Sequence, residues 1–504
     1  MSDVRSNEDL TAATAAGVKW NTSVRVLTEL LLVGSMVVLA RLIPPSAFGM
    51  VAIAVIVQEL AVNVPSEGVG SALVQRRSID RRHLQGGFAL ALLVGVALAA
   101  VTLVIAWLLV VPVFGRETAE LVALTTPWFL LGAVVALPMT VLRRRLDFRR
   151  LSLLALTQSM VRSVSSIVLA AAFGLDGAAL VVGGLIGMLV MVALALWFAP
   201  IPLPRWNREA IADLLPYGGP AMLACFSWAG FRNGDYAIVG ARLGAAQAGF
   251  YWRGFQLAVE YQGKLSAVMN QVAFPVLSRT AGADEMFVLR RRMVRLLTVV
   301  LFPALVLLAV VAPVLVPWLF GPQWEPAVLP TQILAGAGAS TVVIDAVGSV
   351  LMASGRSRAM LGYGIAHFAV YAGAVLIAAG HGLAAVSVAA VTVHLAFVVV
   401  AYQVLLHKRP ERTLKFLWDD TSAAVCASMA LAAAAVPAHL ALEHTVSPLV
   451  YLVLVTLVGL SAYALALRLA FPRDWRDLMT LIRRILPARP LRVFTRLMPL
   501  PAER

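Results

Sequence analysis

Ionisable side chains stand inside stretches of this chain that are otherwise apolar, and these are the residues equipped to do chemistry. They are Arg25, Glu29, Glu59, Glu67, Arg162, Arg232, Asp235, Glu260, Lys264 and Asp345. At bilayer depth a charge costs at least about 2.5–3.5 kcal/mol on insertion scales, so each needs a partner or a water-filled cavity. Two couples are spaced to neutralise themselves on one helix face: Arg232 with Asp235 at i, i+3 and Glu260 with Lys264 at i, i+4. The alternative is that they line a polar interior. Arg162 has no charged neighbour at such spacing, which makes it the first candidate to hold a substrate anion. Arg25, Arg232 and Lys264 are further candidates for that task. Glu29, Glu59, Asp235, Glu260 and Asp345 are candidates for the lining acids of a cleft or for coupling to an ion. His367 and His394 also fall within apolar spans, where helix packing and function are both open readings.

Other chemistries lack their residues. Gly263-Lys264-Leu265 misses both the upstream Gly and the Ser/Thr of a phosphate-cradling loop, so no nucleotide hydrolysis is expected. HExxH, GxSxG and Cys/His clusters do not occur. Asp419-Asp420 reads as flanking the start of a helix, where acids suit the dipole, rather than as a metal site. Cys225 and Cys426 lie inside apolar spans, so no disulfide framework is expected. The expectation is a non-enzyme with no cofactor and no bound metal.

The elements that must carry these charges are membrane helices. The sequence is 61% hydrophobic and 13% charged, the composition of an integral membrane protein. Apolar spans run over 24–42, 47–72, 87–112, 119–141, 152–173, 177–198, 214–241, 248–274, 296–318, 326–353, 359–379, 383–406, 421–440 and 448–470. Each approaches or exceeds the roughly 20 residues that cross a bilayer core, giving about fourteen helices in an all-α polytopic protein. Lys and Arg fill every second gap. Arg76, Arg77, Arg81 and Arg82, then Arg143, Arg144, Arg145, Arg149 and Arg150, mark the first two. Arg205 and Arg208, the group Arg279 to Arg295, Arg356 with Arg358, and Lys408 to Lys415 mark the rest. The alternate gaps hold only Arg41, Arg116, Arg242 and Arg253. By the positive-inside rule both termini are cytoplasmic. The net charge of +15 is thereby placed against an anionic inner leaflet and not against nucleic acid. Residues 1–20 are polar and include Asp3, Glu8 and Asp9, so the first apolar span reads as an anchor and not as a cleaved signal.

An internal repeat orders these spans. Ala40-Arg41-Leu42 and Ala47-Phe48-Gly49 return as Ala241-Arg242-Leu243 and Ala248-Gly249-Phe250, and Glu59 returns as Glu260. Both copies sit between the first and second spans of a six-span set and cross in the same direction. Such parallel repeats place a substrate path between halves, near the midplane. The expected organisation is a tail over 1–23, a first half over 24–198 and a cytoplasmic linker over 199–213. A second half over 214–406 follows, then an extra helix pair over 421–470 and a basic amphipathic tail over 471–504.

Several short motifs resemble one family. Asp235-Tyr236-Ala237-Ile238-Val239-Gly240 with Gly244 and Gly249-Phe250-Tyr251 resembles the D-x-x-x-x-G-x-x-x-G…G-x-Y stretch of bacterial Wzx-type polysaccharide flippases. Phe274-Pro275-Val276-Leu277-Ser278-Arg279 is similar to their P-x-L-S-R/K, and Phe320-Gly321-Pro322-Gln323-Trp324 to their F-G-x-x-W. Leu351-Met352-Ala353-Ser354-Gly355-Arg356 is similar to L-x-A-x-G-R. Ala40 to Gly49 resembles A-R-x-L-x-P-x-D/E-F-G, with Ala47 where the family carries an acid. That family shares a superfamily with MATE transporters and lipid II flippases. The resemblance implies alternating access driven by an ion gradient, with a proton or sodium as coupling ion. It implies a polyprenyl-pyrophosphate-linked oligosaccharide as cargo in the bacterial cytoplasmic membrane. It also implies polysaccharide-assembly membrane proteins as possible partners. A cation-coupled small-molecule exporter and a lipid II flippase are the alternatives. A membrane-embedded glycan ligase would need a large external loop, and every outward gap is short.

Beyond Pro472, Trp475, Leu478, Met479, Ile482, Ile485 and Leu486 recur at helical spacing, with Arg473, Arg476, Arg483 and Arg484 largely off that line. Two readings fit: a helix lying in the membrane interface, or one docked on the cytoplasmic side of the bundle.

Overall fold

The computed structural model describes residues 7–76, 78–264, 266, 283–354, 356–406 and 412–485. Arg77, the motif over 274–279 and the side chains of 226–232, Arg232 among them, lie outside what is described. Among the described residues all regular structure is helical. Eleven segments among the described residues are long and apolar enough to cross a membrane. They fall on the second to sixth and ninth to fourteenth expected spans. The first and seventh expected spans are the helices α1 (Asn7–Leu42) and α7 (Arg208–Leu243). Between them lie α2 (Pro45–Pro65), α3 (Arg81–Ile105), α4 (Pro127–Arg144), α5 (Phe148–Phe173) and α6 (Gly177–Phe198). The eighth begins as α8 (Ala245–Phe255). It is followed by α9 (Ala283–Phe320), α10 (Val328–Ala353), α11 (Ser357–Ala378) and α12 (Leu383–Leu405). The chain ends in α13 (Thr413–Leu442), α14 (Pro448–Ala470) and α15 (Pro472–Ile485).

Large apolar side chains such as Val96 and Val104 on α3, Ile377 on α11 and Leu465 on α14 stand exposed. In water such a surface would be a liability; against lipid tails it is the expected exterior of a multi-pass membrane protein.

The chain forms two compact units, residues 1–249 and 250–504. In the first, α5 packs on α1 and α6, α3 on α4, and α7 on α2. In the second, α9 packs on α10 and α13, α12 on α10 and α11, and α13 on α14. The same close approach recurs in both. A Cβ on Gly132 of α4 would clash with the Ala61 carbonyl of α2, and one on Gly338 of α10 would clash with the Ala258 carbonyl. Each is the fourth span of its expected half meeting the second. The second spans share another feature, a π-helical turn, at Ser66–Gly70 and at Gln256–Glu260. Within the first unit the two repeat motifs touch reciprocally. Gly49 abuts the Ala245 carbonyl and Gly249 abuts the Pro45 carbonyl, so neither has room for a side chain.

Three arginines act as fasteners. Arg253, 1% exposed, lies in an aromatic cage with its guanidinium 4.9 Å from the centroids of both Phe320 and Trp324. Here F-G-x-x-W supplies ring faces for a cation. Arg356 donates to the Val404 and Leu405 carbonyls, meeting the open C-terminal end of α12. Arg290, also 1% exposed, donates to Asp420 at 2.6 Å, and the Tyr402 hydroxyl donates to the same Oδ2 at 2.7 Å. The expectation that Asp419-Asp420 flanks a helix start is corrected by this contact: α13 begins at Thr413, so Asp420 stands inside it as a buried ion-pair partner.

The tail helix α15 is docked. Trp475 and Met479 are buried in a cluster with residues of α9, α13 and α14, joined by partly buried Leu478 and Ile482. Arg295 pairs with Asp474 at 2.7 Å and Arg292 with Asp477 at 3.0 Å, so the acids fix its register on α9.

Candidate functional site

Arg162 sits near the middle of α5, half-buried, and its guanidinium has no hydrogen-bond or ion-pair partner among the described residues. The helix that carries it is polar on its packed faces. Ser152, Ser159, Ser163 and Ser166 are buried, Ser163 donates to Ser35 on α1 at 3.1 Å, and Ser165 donates to the Gly183 carbonyl of α6 at 3.2 Å. Small residues let α6 pass close: a Cβ on Gly187 would press on the Arg162 backbone nitrogen and Cβ. Ser163 and Ser165 tie α5 to α1 and α6, while the guanidinium is left uncommitted among the described residues. Five donors in a planar fork suit a pyrophosphate or carboxylate.

The acidic candidates of this unit are engaged. Glu59 on α2 accepts from the Asn233 amide on α7 at 3.0 Å. Asp235, 4% exposed, accepts from the Tyr236 backbone N–H. Asn233, absent from the sequence reading, is the residue that joins α7 to an acid of α2. It was discoverable as the polar neighbour of Arg232 and Asp235. Glu67 lies exposed in the π turn and accepts from Ser71 at 2.9 Å. Glu29 is half-buried on α1 and has a partner, whereas Arg25 is exposed. At the Arg-rich end, Asp213 of α7 receives Arg76 at 3.1 Å and lies 3.3 Å from the His83 ring. Asp80 caps α3 by accepting from the His83 backbone N–H, which with its other His83 and Arg82 bonds holds its carboxyl well below the usual carboxylate range.

In the second unit Glu260 closes the π turn, and Lys264 is half-buried with its ammonium 5.0 Å from the Tyr261 ring centroid. Asp345 is half-buried on α10. All three have partners. No group of three or more metal-ligating side chains occurs among the described residues.

The profile of a family described as "Polysaccharide biosynthesis protein" matches residues 38–329, more than half of the sequence. The chain belongs to that family. The lipopolysaccharide biosynthesis protein WzxC of Escherichia coli (strain K12) is 26% identical over 351 residues, 68% of this chain and 70% of WzxC. The teichuronic acid biosynthesis protein TuaB of Bacillus subtilis (strain 168) is 26% identical over 324 residues, covering 60% of this chain and 65% of TuaB. Among solved structures, the lipid II flippase MurJ in an inward closed conformation aligns with TM-score 0.71 at 13% identity. The alignment covers 91% of this chain and 99% of MurJ. An inward-facing MATE family multidrug transporter of the MOP superfamily aligns with TM-score 0.61 at 16% identity, over 77% and 96% of the two chains. At those identities the likeness is one of fold. It places this family member on the MurJ and MATE architecture, as the resemblance of its motifs implied.

Proposed function

We propose that this protein translocates a polyprenyl-pyrophosphate-linked oligosaccharide across the bacterial cytoplasmic membrane for cell-surface polysaccharide biosynthesis. The observation that carries the reading is Arg162, a cation held halfway through a membrane helix without a partner among the described residues. A lone charge at that depth is an expense unless an anion visits it. Sugar hydroxyls cost roughly 2–7 kcal/mol each to bring unpaired into an apolar phase, so the cargo crosses only with a sheltered polar path. Family membership and the naming of WzxC and TuaB after polysaccharide biosynthesis support the cargo class.

In this reading two six-helix halves plus an added helix pair make about fourteen spans, with both termini cytoplasmic. Arg162, with Arg25, Arg232 and Lys264, holds the pyrophosphate. Glu29, Glu59, Asp235, Glu260 and Asp345 line the same path. Alternating access runs on a proton or sodium gradient, with no covalent chemistry and no resident cofactor. Polysaccharide-assembly membrane proteins receive the product.

Arg162→Ala in a cell that depends on this chain is expected to abolish surface polysaccharide at an unchanged membrane level of the protein. Arg162→Lys should retain a fraction, as a point charge lacking the bidentate fork. Unchanged export by Arg162→Ala would remove the residue from the path. Growth of cells depleted of their lipid II flippase tests the lipid II alternative. A transporter of surface-polysaccharide precursors should not rescue them.

A further inference from the structure

Two histidines meet halfway along adjacent spans. His367 stands near the midpoint of α11 and His394 near that of α12, both helices long enough to cross a hydrocarbon core of about 30 Å. Their ring centroids are 5.0 Å apart and nearly perpendicular. His394 is 6% exposed, and its Nδ1 lies 2.7 Å from the Ala390 carbonyl. A carbonyl only accepts, so Nδ1 carries the proton and Nε2 of the neutral ring carries a lone pair. The Nε2 of His367 is buried with no hydrogen-bond partner among the described residues.

The surroundings are ring faces. The His367 centroid lies 4.7 Å from Phe397 and 6.0 Å from both Tyr363 and Tyr371. Tyr371 also sits 5.2 Å from His394, and its hydroxyl shares a hydrogen bond of 3.1 Å with Tyr251 of α8. Tyr363 donates to the Phe397 carbonyl. The charged groups on the packed elements are few. Asp345 on α10 is within electrostatic reach of Tyr363, and Glu260 closes the π turn that packs on α10. Arg358 is exposed near the start of α11, and α12 carries no Lys, Arg, Asp or Glu. Tyr402 of α12 is committed to Asp420 and Arg290. A second phenylalanine would pack among these rings without an orphaned nitrogen. Aromatic faces around a ring that can become a cation are, in contrast, a cation–π cage.

We propose that His367 and His394 together bind one proton, the coupling ion of the transport cycle. This rests on the flippase reading above. One N–H bond forms on a lone-pair nitrogen of the pair as one O–H bond of a hydronium ion breaks and releases water, taking the pair from neutral to a single positive charge. A second proton on the neighbouring ring is opposed by the first at this separation, so the pair titrates as one unit. A charged pair at the midplane needs water or a counter-charge that a neutral pair does not. Protonation therefore biases the helices α11 and α12 between two arrangements, and deprotonation on the other side resets them.

The full chain, labelled with 15N-histidine and reconstituted in phosphatidylethanolamine/phosphatidylglycerol nanodiscs, tests this by NMR of the ring nitrogens across pH 4–9. Of its seven histidines, two should titrate as a coupled pair that takes up one proton. His367→Phe should remove one signal and displace the midpoint of the other. In cells His367→Phe keeps the packing, and surface polysaccharide should fall at least tenfold at equal protein level. Where that variant fails to accumulate, the wild-type titration decides alone. Two rings that stay neutral over the whole range, or that titrate independently, overturn the proposal, as does wild-type export by His367→Phe. If Arg162→Ala still abolishes export in that case, the flippase reading survives. Normal export by both variants removes both.

Discussion

At the scale of single residues, the separation that matters is between charges that fasten and charges that wait. Arg253, Arg290 and Arg356 are fasteners: one is caged by rings, one is ion-paired and one caps a helix. Arg162 is not committed to any described residue. The cage gives a direct test. Trp324 is fully buried and meets Phe250 and Phe320 edge-on at 6.0 and 6.1 Å as well as the Arg253 guanidinium. Trp324→Ala should cost about 3–5 kcal/mol and lower the thermal midpoint of the detergent-solubilised protein. Trp324→Phe, which keeps a ring face, should lose clearly less. Equal midpoints for both would show that the cage holds nothing. What the sequence disclosed at this scale followed the range of its signals. Arg162 was visible as isolated because its lack of charged neighbours is local along one helix. The partners of Glu59 and of Asp420 were not, since Asn233 and Arg290 lie 174 and 130 residues away. No helical periodicity reports contacts between such distant segments.

At the scale of elements, the added pair α13–α14 is joined to α9 by burial and by ion pairs, of which Arg290–Asp420 is the buried one. Asp420 and Arg290 are each almost solvent-free, so removing one partner strands the other. Asp420→Ala should destabilise by about 3–5 kcal/mol, read as early loss of the monodisperse peak on heating. Replacing both residues with apolar ones of similar volume should recover much of that loss, because the pair's own desolvation cost disappears with it. A double variant as weak as the single one would mean that Asp420 acts through Tyr402 instead. The same scale resolves the tail. Its amphipathic spacing was plain in the sequence, but the partner of the apolar face was not. Asp474 and Asp477 now identify the docked reading, since both meet Arg residues of α9. The pattern of a helix face names an apolar neighbour without saying whether that neighbour is lipid or protein.

At the scale of the whole molecule, the apolar runs and the placement of Arg anticipated every one of the eleven membrane-length segments. Such spans are legible because the bilayer forces each backbone to satisfy itself within one helix, leaving a continuous apolar run as its signature. The first expected span adjoins residues whose side chains lie outside those described, the seventh and eighth run into such residues, and Glu29, Asp235 and Glu260 on these spans are functional candidates. Orientation remains to be measured. Cysteine substitutions should place positions 144 and 291 on the cytoplasmic face, and 321–325 and 381–382 on the outer face. External labelling at either Arg-rich position would overturn the assignment of sides.

The π turn at Gln256–Glu260 has a consequence for how this chain tolerates change in length. Its wider turn accommodates a residue beyond the α-helical repeat, and one residue of a helix spans about 100° of rotation. The described residues just after the turn, 261–264 and 266, are therefore clocked by it. Gln262, which donates to Thr341 of α10 at 2.9 Å and accepts from Ser266 at 3.2 Å, points where it does because of that offset. A one-residue deletion inside the turn could leave an unbroken helix of ordinary pitch, indistinguishable by helical content. It would nevertheless swing Gln262 and Lys264 through about a quarter of a circle, onto faces where they meet different neighbours. In this segment reading frame along the helix, more than composition, sets which side chains face α10.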